Sequence, residues 1–183
     1  MTSIALSELP QTALLRAVRE SGAFTDGYVT EIAGTVLLPA FVEAFYTTAL
    51  FKVERAIIRW FARRPSTDSE AKQLGEGSID QFAAWRVEGR NAEQLLLADF
   101  TGRTKSWLMI EAVSGAGGEP RTRLYFGSAI VPRIEAGTGR RELGFLFHAL
   151  LGFHKLYSRL LLSAARTRLA PDQNGSRVNG RVT

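Results

Sequence analysis

The chain has 183 residues, 45% apolar and 22% charged, the balance of one soluble globular domain that buries roughly two thirds of its unfolded surface. It contains no cysteine and only two histidines, which excludes a disulfide framework, thiolate metal sites and thiol nucleophiles. The net charge of +5 divides into −1 over residues 1–131 and +6 over 132–183, the final helix and tail; the aromatics fall at core spacings and the tail has none, so a solvated basic region is expected and a nucleic-acid partner is not.

The first residues, MTSIALSELPQT, lack a basic segment followed by an apolar run. No stretch of about 18 uninterrupted apolar residues occurs, so neither a secretory signal nor a transmembrane segment is expected, and the expected location is cytoplasmic. Leu9, Leu14, Leu15 and Val18 recur at helical spacing with Pro10 in a first turn, which predicts a helical N-terminal extension over about 7–21 ending at Gly22. Tyr28 to Val36 is rich in β-formers and reads as a strand. From Leu38-Pro39 to about Arg64, Val42, Phe45, Ala49, Val53, Ile57 and Trp60 recur every three or four residues. Thr47-Thr48 is the weak point of that pattern, so one helix or two consecutive helices fit it. Arg63 to Gly77 reads as a polar connection holding one short turn of helix after Ser66 or Asp68, or a hidden strand.

Four strands then follow in quick succession: Gln81–Glu88, Gln94–Phe100, Lys105–Val113 and Arg121–Val131. Their turns are short, which dictates antiparallel pairing, because parallel neighbours need crossovers of about a dozen residues. Gly115–Gly118 falls between two such strands and is therefore a hairpin turn, not a phosphate loop. After a loop at Arg133–Gly139, Arg140–Leu169 reads as one long, unusually apolar helix. The polar tail 171–183 is expected to be disordered.

A sheet covered on one side has one apolar and one polar face. Here Leu95 and Leu97 oppose Leu96 and Ala98, Trp107 and Met109 oppose Leu108 and Ile110, and Leu124 and Phe126 oppose Tyr125. Both faces need cover. The final helix and the helix around Phe41–Trp60 are the expected covers, with a second subunit, hence a homodimer, as an alternative for one face.

Polar residues interrupt the strands at Arg86, Asp99, Glu111 and Ser128. Each is a strand end, a solvated position or a cavity-lining group; Asp99, with Arg103 four residues on, is the first candidate for the last role. His148 shares a helix face with Gly144 and Gly152 at steps of four, so that face either follows a bent helix or closely approaches a strand or ligand. In the second case His148 is a hydrogen-bond partner or general base, and Tyr125 and Tyr157 supply further hydroxyls. His154 lies six residues on, about 240° around the helix, too far to share a metal with His148. No metal or cofactor is expected, and neither a G-x-S-x-G elbow nor a dinucleotide fingerprint occurs.

The order of elements, closing on GRRELGFLFHALLGFHKLYSRLLLSAAR, resembles the START-like helix-grip superfamily, which includes polyketide cyclase-like and lipid-transfer domains. The resemblance covers roughly Tyr28 to Leu169. It implies an α+β fold over a single domain at 1–170, in which a curved antiparallel sheet grips the long C-terminal helix. It further implies a cavity between them, lined by Trp85, Leu97, Asp99, Trp107, Met109, Phe126, His148 and Tyr157, that binds an apolar or aromatic small molecule of lipid or polyketide type. The alternatives are a cyclase- or dehydratase-type enzyme using His148 and Asp99, and a non-catalytic interaction module.

Overall fold

The computed structural model describes residues 3–52, 66–134, 141–142 and 145–170, with backbone alone for 133–134, 141–142 and 145–155. Its centre is an antiparallel seven-stranded sheet with two long strands at its middle. In chain order the elements are β1 (Ala5–Leu6), α1 (Leu15–Glu20), β2 (Phe24–Ala33), α2 (Leu38–Tyr46), α3 (Asp68–Glu76), β3 (Gln81–Phe82) and β4 (Trp85–Arg90). They continue with β5 (Gln94–Asp99), β6 (Thr104–Ser114), β7 (Pro120–Ile130), β8 (Arg133–Ile134), β9 (Arg141–Glu142) and α4 (Phe145–Leu169). The sheet order is β1-β2-β7-β6-β5-β4-β3, so the first long strand lies beside the last, while β8 and β9 form a separate pair.

The four-strand meander is present, with the expected Gln81–Glu88 strand divided at Ala83, whose φ of 52° turns the chain between β3 and β4. The strand expected from Tyr28 starts four residues earlier, at Phe24, and pairs with β7 along its whole length. Thr25-Asp26-Gly27 has turn-like composition, but ladder hydrogen bonds to a long partner override that local preference.

The helical prediction from Leu38 is interrupted where the threonines stand. Thr47 donates its hydroxyl to the Glu43 carbonyl, and Thr48 donates to that of Phe45. These bonds compete with the backbone ladder. The Thr48 hydroxyl then accepts the Phe51 N–H and so caps the helical stretch over 49–52. The rest of the predicted segment, with Val53, Ile57 and Trp60, lies outside the described residues. The Arg63–Gly77 connection contains a nine-residue helix, α3, and no strand among its described residues. A capping box starts it: the Thr67 hydroxyl accepts from the Glu70 N–H, and the Glu70 carboxylate accepts from the Thr67 N–H. Gly77, at φ 80°, ends it in the left-handed conformation glycine tolerates.

Both faces of the sheet are covered, but not as expected. The helices α2, α3 and α4 all contribute to one core, with Phe41, Phe45, Leu74, Leu161, Leu162 and Ala165 among Leu97, Leu108, Leu124 and Phe126. The opposite face is covered by the chain's own N-terminal segment: Leu9, Ala13, Leu15 and Ala23 pack on Leu96, Trp107, Met109, Tyr125 and Ala129. The helical extension predicted over 7–21 is helical only at Leu15–Glu20. The loop and turn before that helix pack on the strands, which removes the argument for a second subunit on that face. No helix among the described residues is long and apolar enough to cross a membrane. The tail 171–183 lies outside the described residues.

Candidate functional site

Strand register creates the site. Val87, Leu97, Ser106, Ser128 and Asp26 stand side by side across β4, β5, β6, β7 and β2. Along this row the side chains pass from apolar to polar, and all four from Leu97 to Asp26 are buried. The next row toward the sheet centre on the same face, Leu95, Leu108, Phe126 and Tyr28, is apolar except for the Tyr28 hydroxyl. That hydroxyl reaches back to the polar row.

The polar groups are bonded to one another. The Ser128 hydroxyl donates to Asp26 Oδ1 at 2.6 Å, and the Tyr28 hydroxyl donates to Asp26 Oδ2 at 3.3 Å. From α2, the Tyr46 hydroxyl meets Ser106 Oγ at 2.9 Å. Burial, then the neighbouring Asp26 carboxylate, pushes the Tyr28 phenol up to about 12; both causes disfavour the phenolate. The Arg159 guanidinium from α4 lies 5.8 Å from the Tyr28 ring centroid, a cation–π contact whose charge acts in the opposite, smaller direction. Arg166 reaches Thr30 Oγ1, and Arg168 donates to the Thr47 carbonyl at 2.9 Å. Three arginines of the basic C-terminal region thus hold α4 to β2 and to the end of α2.

Two buried polar atoms have no hydrogen-bond partner among the described residues: Ser158 Oγ on α4 and Trp85 Nε1 on β4. Ser158 is 0% exposed. It lies three, four and seven residues before Leu161, Leu162 and Ala165, so it shares the helix face that packs on the sheet.

The eight residues expected to line one cavity do not share one surface. Leu97 and Phe126 are buried in the helix-covered core, with Trp85 and Tyr157 half-buried against it. Trp107 and Met109 lie on the opposite face under the N-terminal segment, because neighbouring strand positions point to opposite sides. Asp99 is the larger correction. Its Oδ1 accepts the backbone N–H groups of Arg103 and Thr104, and its Oδ2 accepts the Thr101 hydroxyl. It caps the β5–β6 turn, and its bond to Arg103 is to the main chain. His148 lies on α4, and its side chain is outside the described residues. Of the other interruptions in the strands, Arg86 is exposed, and Glu111 accepts the Tyr125 hydroxyl on the opposite face. Ser128 alone joins the buried row.

Sequence reasoning missed Asp26, Ser106, Tyr46 and Ser158. The signal for Asp26 was its even spacing from Tyr28, Thr30 and Ile32, which places all four on one face once the strand begins at Phe24. The opposite face satisfies its buried polar groups. Gln94 Oε1 accepts from Trp107 Nε1 and from the Leu14 N–H, while Gln94 Nε2 donates to the Thr12 carbonyl, each at 2.9 Å. Lys105, 8% exposed, sits on both Glu88 oxygens at 2.6 and 2.7 Å. At the sheet edge, a half-open cleft of about 260 Å³ runs between residues 6–9, Arg19 and the start of β2. Among the described residues no cluster of three or more His, Asp or Glu side chains is placed to hold a metal.

Comparison of the sequence with protein-family models and with curated proteins finds no match.

Proposed function

We propose that this protein binds an apolar or aromatic small molecule on the helix-covered face of its sheet, between the strands and the C-terminal helix. The observation that carries this reading is the buried polar row of Asp26, Ser128 and Ser106, set beside the largely apolar row of Leu95, Leu108, Phe126 and Tyr28. Small-molecule sites have that composition: a mostly apolar lining for affinity and a few placed polar groups for orientation. A core built for stability alone would avoid the desolvation cost of a buried carboxylate.

The topology supports a START-like helix-grip reading in the same direction. The first long strand pairs with the last, the intervening helices lie between β2 and β3 in sequence, and the long terminal helix returns to the same face. In such an arrangement a ligand lies against the strands beneath the final helix.

Native mass spectrometry of freshly purified full-length protein, followed by titration with the neutral fluorescent probe N-phenyl-1-naphthylamine, tests the reading. One probe molecule per chain is expected, with fluorescence enhancement lost when bulk is added in the row by Ser106→Leu. Absence of both retained ligand and saturable probe binding would overturn it.

A further inference from the structure

We propose that the cleft at the β1 edge of the sheet is a separate site, for a free α-amino acid in its zwitterionic form. Its basis is a one-residue gap in the hydrogen-bonding edge of β2. In an antiparallel strand the backbone groups of successive residues face opposite neighbours in turn. The N–H of Gly34, just past β2, donates to the Pro120 carbonyl of β7. Even-numbered residues of β2 therefore face β7, and odd-numbered ones face the outer edge. Along that edge the Gly27 carbonyl accepts the Ser7 N–H at 2.9 Å, and the Ala23 N–H donates to the Val18 carbonyl at 3.4 Å. Thr25 stands between these two bonds, outside the β1 register, and no described backbone group bonds to it on that edge.

The cleft of about 260 Å³ opens at this gap, lined by residues 6–9, Arg19 and Phe24–Gly27. Its two ends carry opposite charges. Arg19 enters from the Ala23 end, where its carbonyl accepts the Gly22 N–H; the Thr25 N–H lies toward that end. Glu8 follows Ser7 at the Gly27 end, toward which the Thr25 carbonyl lies. Neither charged side chain has an ion-pair partner among the described residues, although both line the one cleft. An α-amino acid has the matching polarity. Its carboxylate accepts from the Thr25 N–H and from Arg19, and its ammonium donates to the Thr25 carbonyl and to Glu8. A simple carboxylate or amine satisfies one end only. The volume equals on the order of eight waters, enough for one amino acid. A longer extended peptide would meet the Ser7 and Val18 groups that already occupy the ladder on either side. Leu6 and Leu9 on the wall suit an apolar side chain.

Amide NMR titrations of the isotope-labelled full chain at neutral pH test the site with three probes: L-leucine, isocaproate, which lacks the amine, and isoamylamine, which lacks the carboxylate. L-leucine should shift the Thr25 amide saturably and bind about threefold or more tightly than either analogue. Arg19→Gln should weaken L-leucine and isocaproate about threefold and leave isoamylamine unchanged. Glu8→Gln should weaken L-leucine and isoamylamine to a similar degree and leave isocaproate unchanged. Both positions are exposed, so both variants keep the fold. No saturable shift at Thr25, equal affinity for the three probes, or unchanged L-leucine affinity in either variant overturns the proposal.

Discussion

Trp107 and Trp85 lie on opposite faces of the same sheet, and their indole N–H groups meet different fates. That of Trp107 donates to Gln94, which also clamps the backbone of residues 12–14. That of Trp85 is buried with no partner among the described residues. The same contrast runs through both layers. Under the N-terminal segment, Lys105 is paired with Glu88 and Tyr125 with Glu111. Under the helices, the Ser128 and Tyr28 hydroxyls donate to the Asp26 carboxylate, and the Ser158 hydroxyl is buried with no partner among the described residues. One face satisfies its buried polar groups; the other buries two atoms that have no partner among the described residues. An unpartnered buried polar atom costs about 1–3 kcal/mol, a considerable part of the roughly 5–15 kcal/mol that holds a domain together.

The strongest way to test this division is to remove a cover. Deleting residues 142–169 takes Leu161, Leu162 and Ala165 out of the helix-side core, with a buried leucine worth about 1.5–3 kcal/mol. Loss of a cooperative unfolding transition in calorimetry is expected; a folded product would show that α4 is an appendage. A smaller change breaks the opposite face. Gln94→Leu keeps the volume but strips partners from the Trp107 indole, the Leu14 N–H and the Thr12 carbonyl. It should cost about 2–4 kcal/mol in urea unfolding, with faster amide exchange at residues 12–15.

The two tryptophans give the sharpest comparison. Trp107→Phe leaves Gln94 without one donor and should destabilise by about 1–3 kcal/mol. Trp85→Phe removes a donor that has no partner, so its cost should be at least about 1 kcal/mol smaller; equal losses would erase the distinction between the faces.

Alkali should affect both faces alike. Tyr28 and Tyr125 are each pushed up to about 12, first by burial and then by Asp26 and Glu111 respectively, from an ordinary value of 10.0. The unfolded chain therefore ionises these phenols before the folded one does. Their contribution is fully present below pH 10 and is lost as pH rises toward 12. Tyr28→Phe and Tyr125→Phe should each remove one late step from the phenolate absorbance titration. The smallest effect is acidic. Arg123, with Arg121 beside it, holds the Glu31 carboxyl below its usual range. Its contribution is present above the unfolded value and lost as pH falls through the lowered one. Because the group is partly solvated, Glu31→Gln should cost less than about 1 kcal/mol at neutral pH.

The hairpins were readable from local signals, because short turns with glycine or aspartate admit only antiparallel neighbours. The need for cover on both faces was readable too, from consecutive apolar residues in β5 and β6. The helix break at Thr47-Thr48 could be placed because threonine hydroxyls compete locally for backbone carbonyls. Which segment covered which face could not be placed. Residues 7–21 carry leucines at helical spacing, yet only Leu15–Glu20 is helical and the loop and turn before it pack on the sheet. The segment's conformation is set by Trp107 and Gln94, roughly eighty to ninety residues away.

Composition and periodicity by themselves determined an α+β domain with an antiparallel meander, two buried faces and a long apolar closing helix, since each follows from interactions within a few residues. Only the tertiary structure decided the candidate site. Asp26 and Ser128 are 102 residues apart and meet because β2 pairs with β7. A shift of one residue in that register would turn Asp26 to the other face. Ladder register between distant strands is a property of the whole sheet, and so is the identity of the polar groups it gathers.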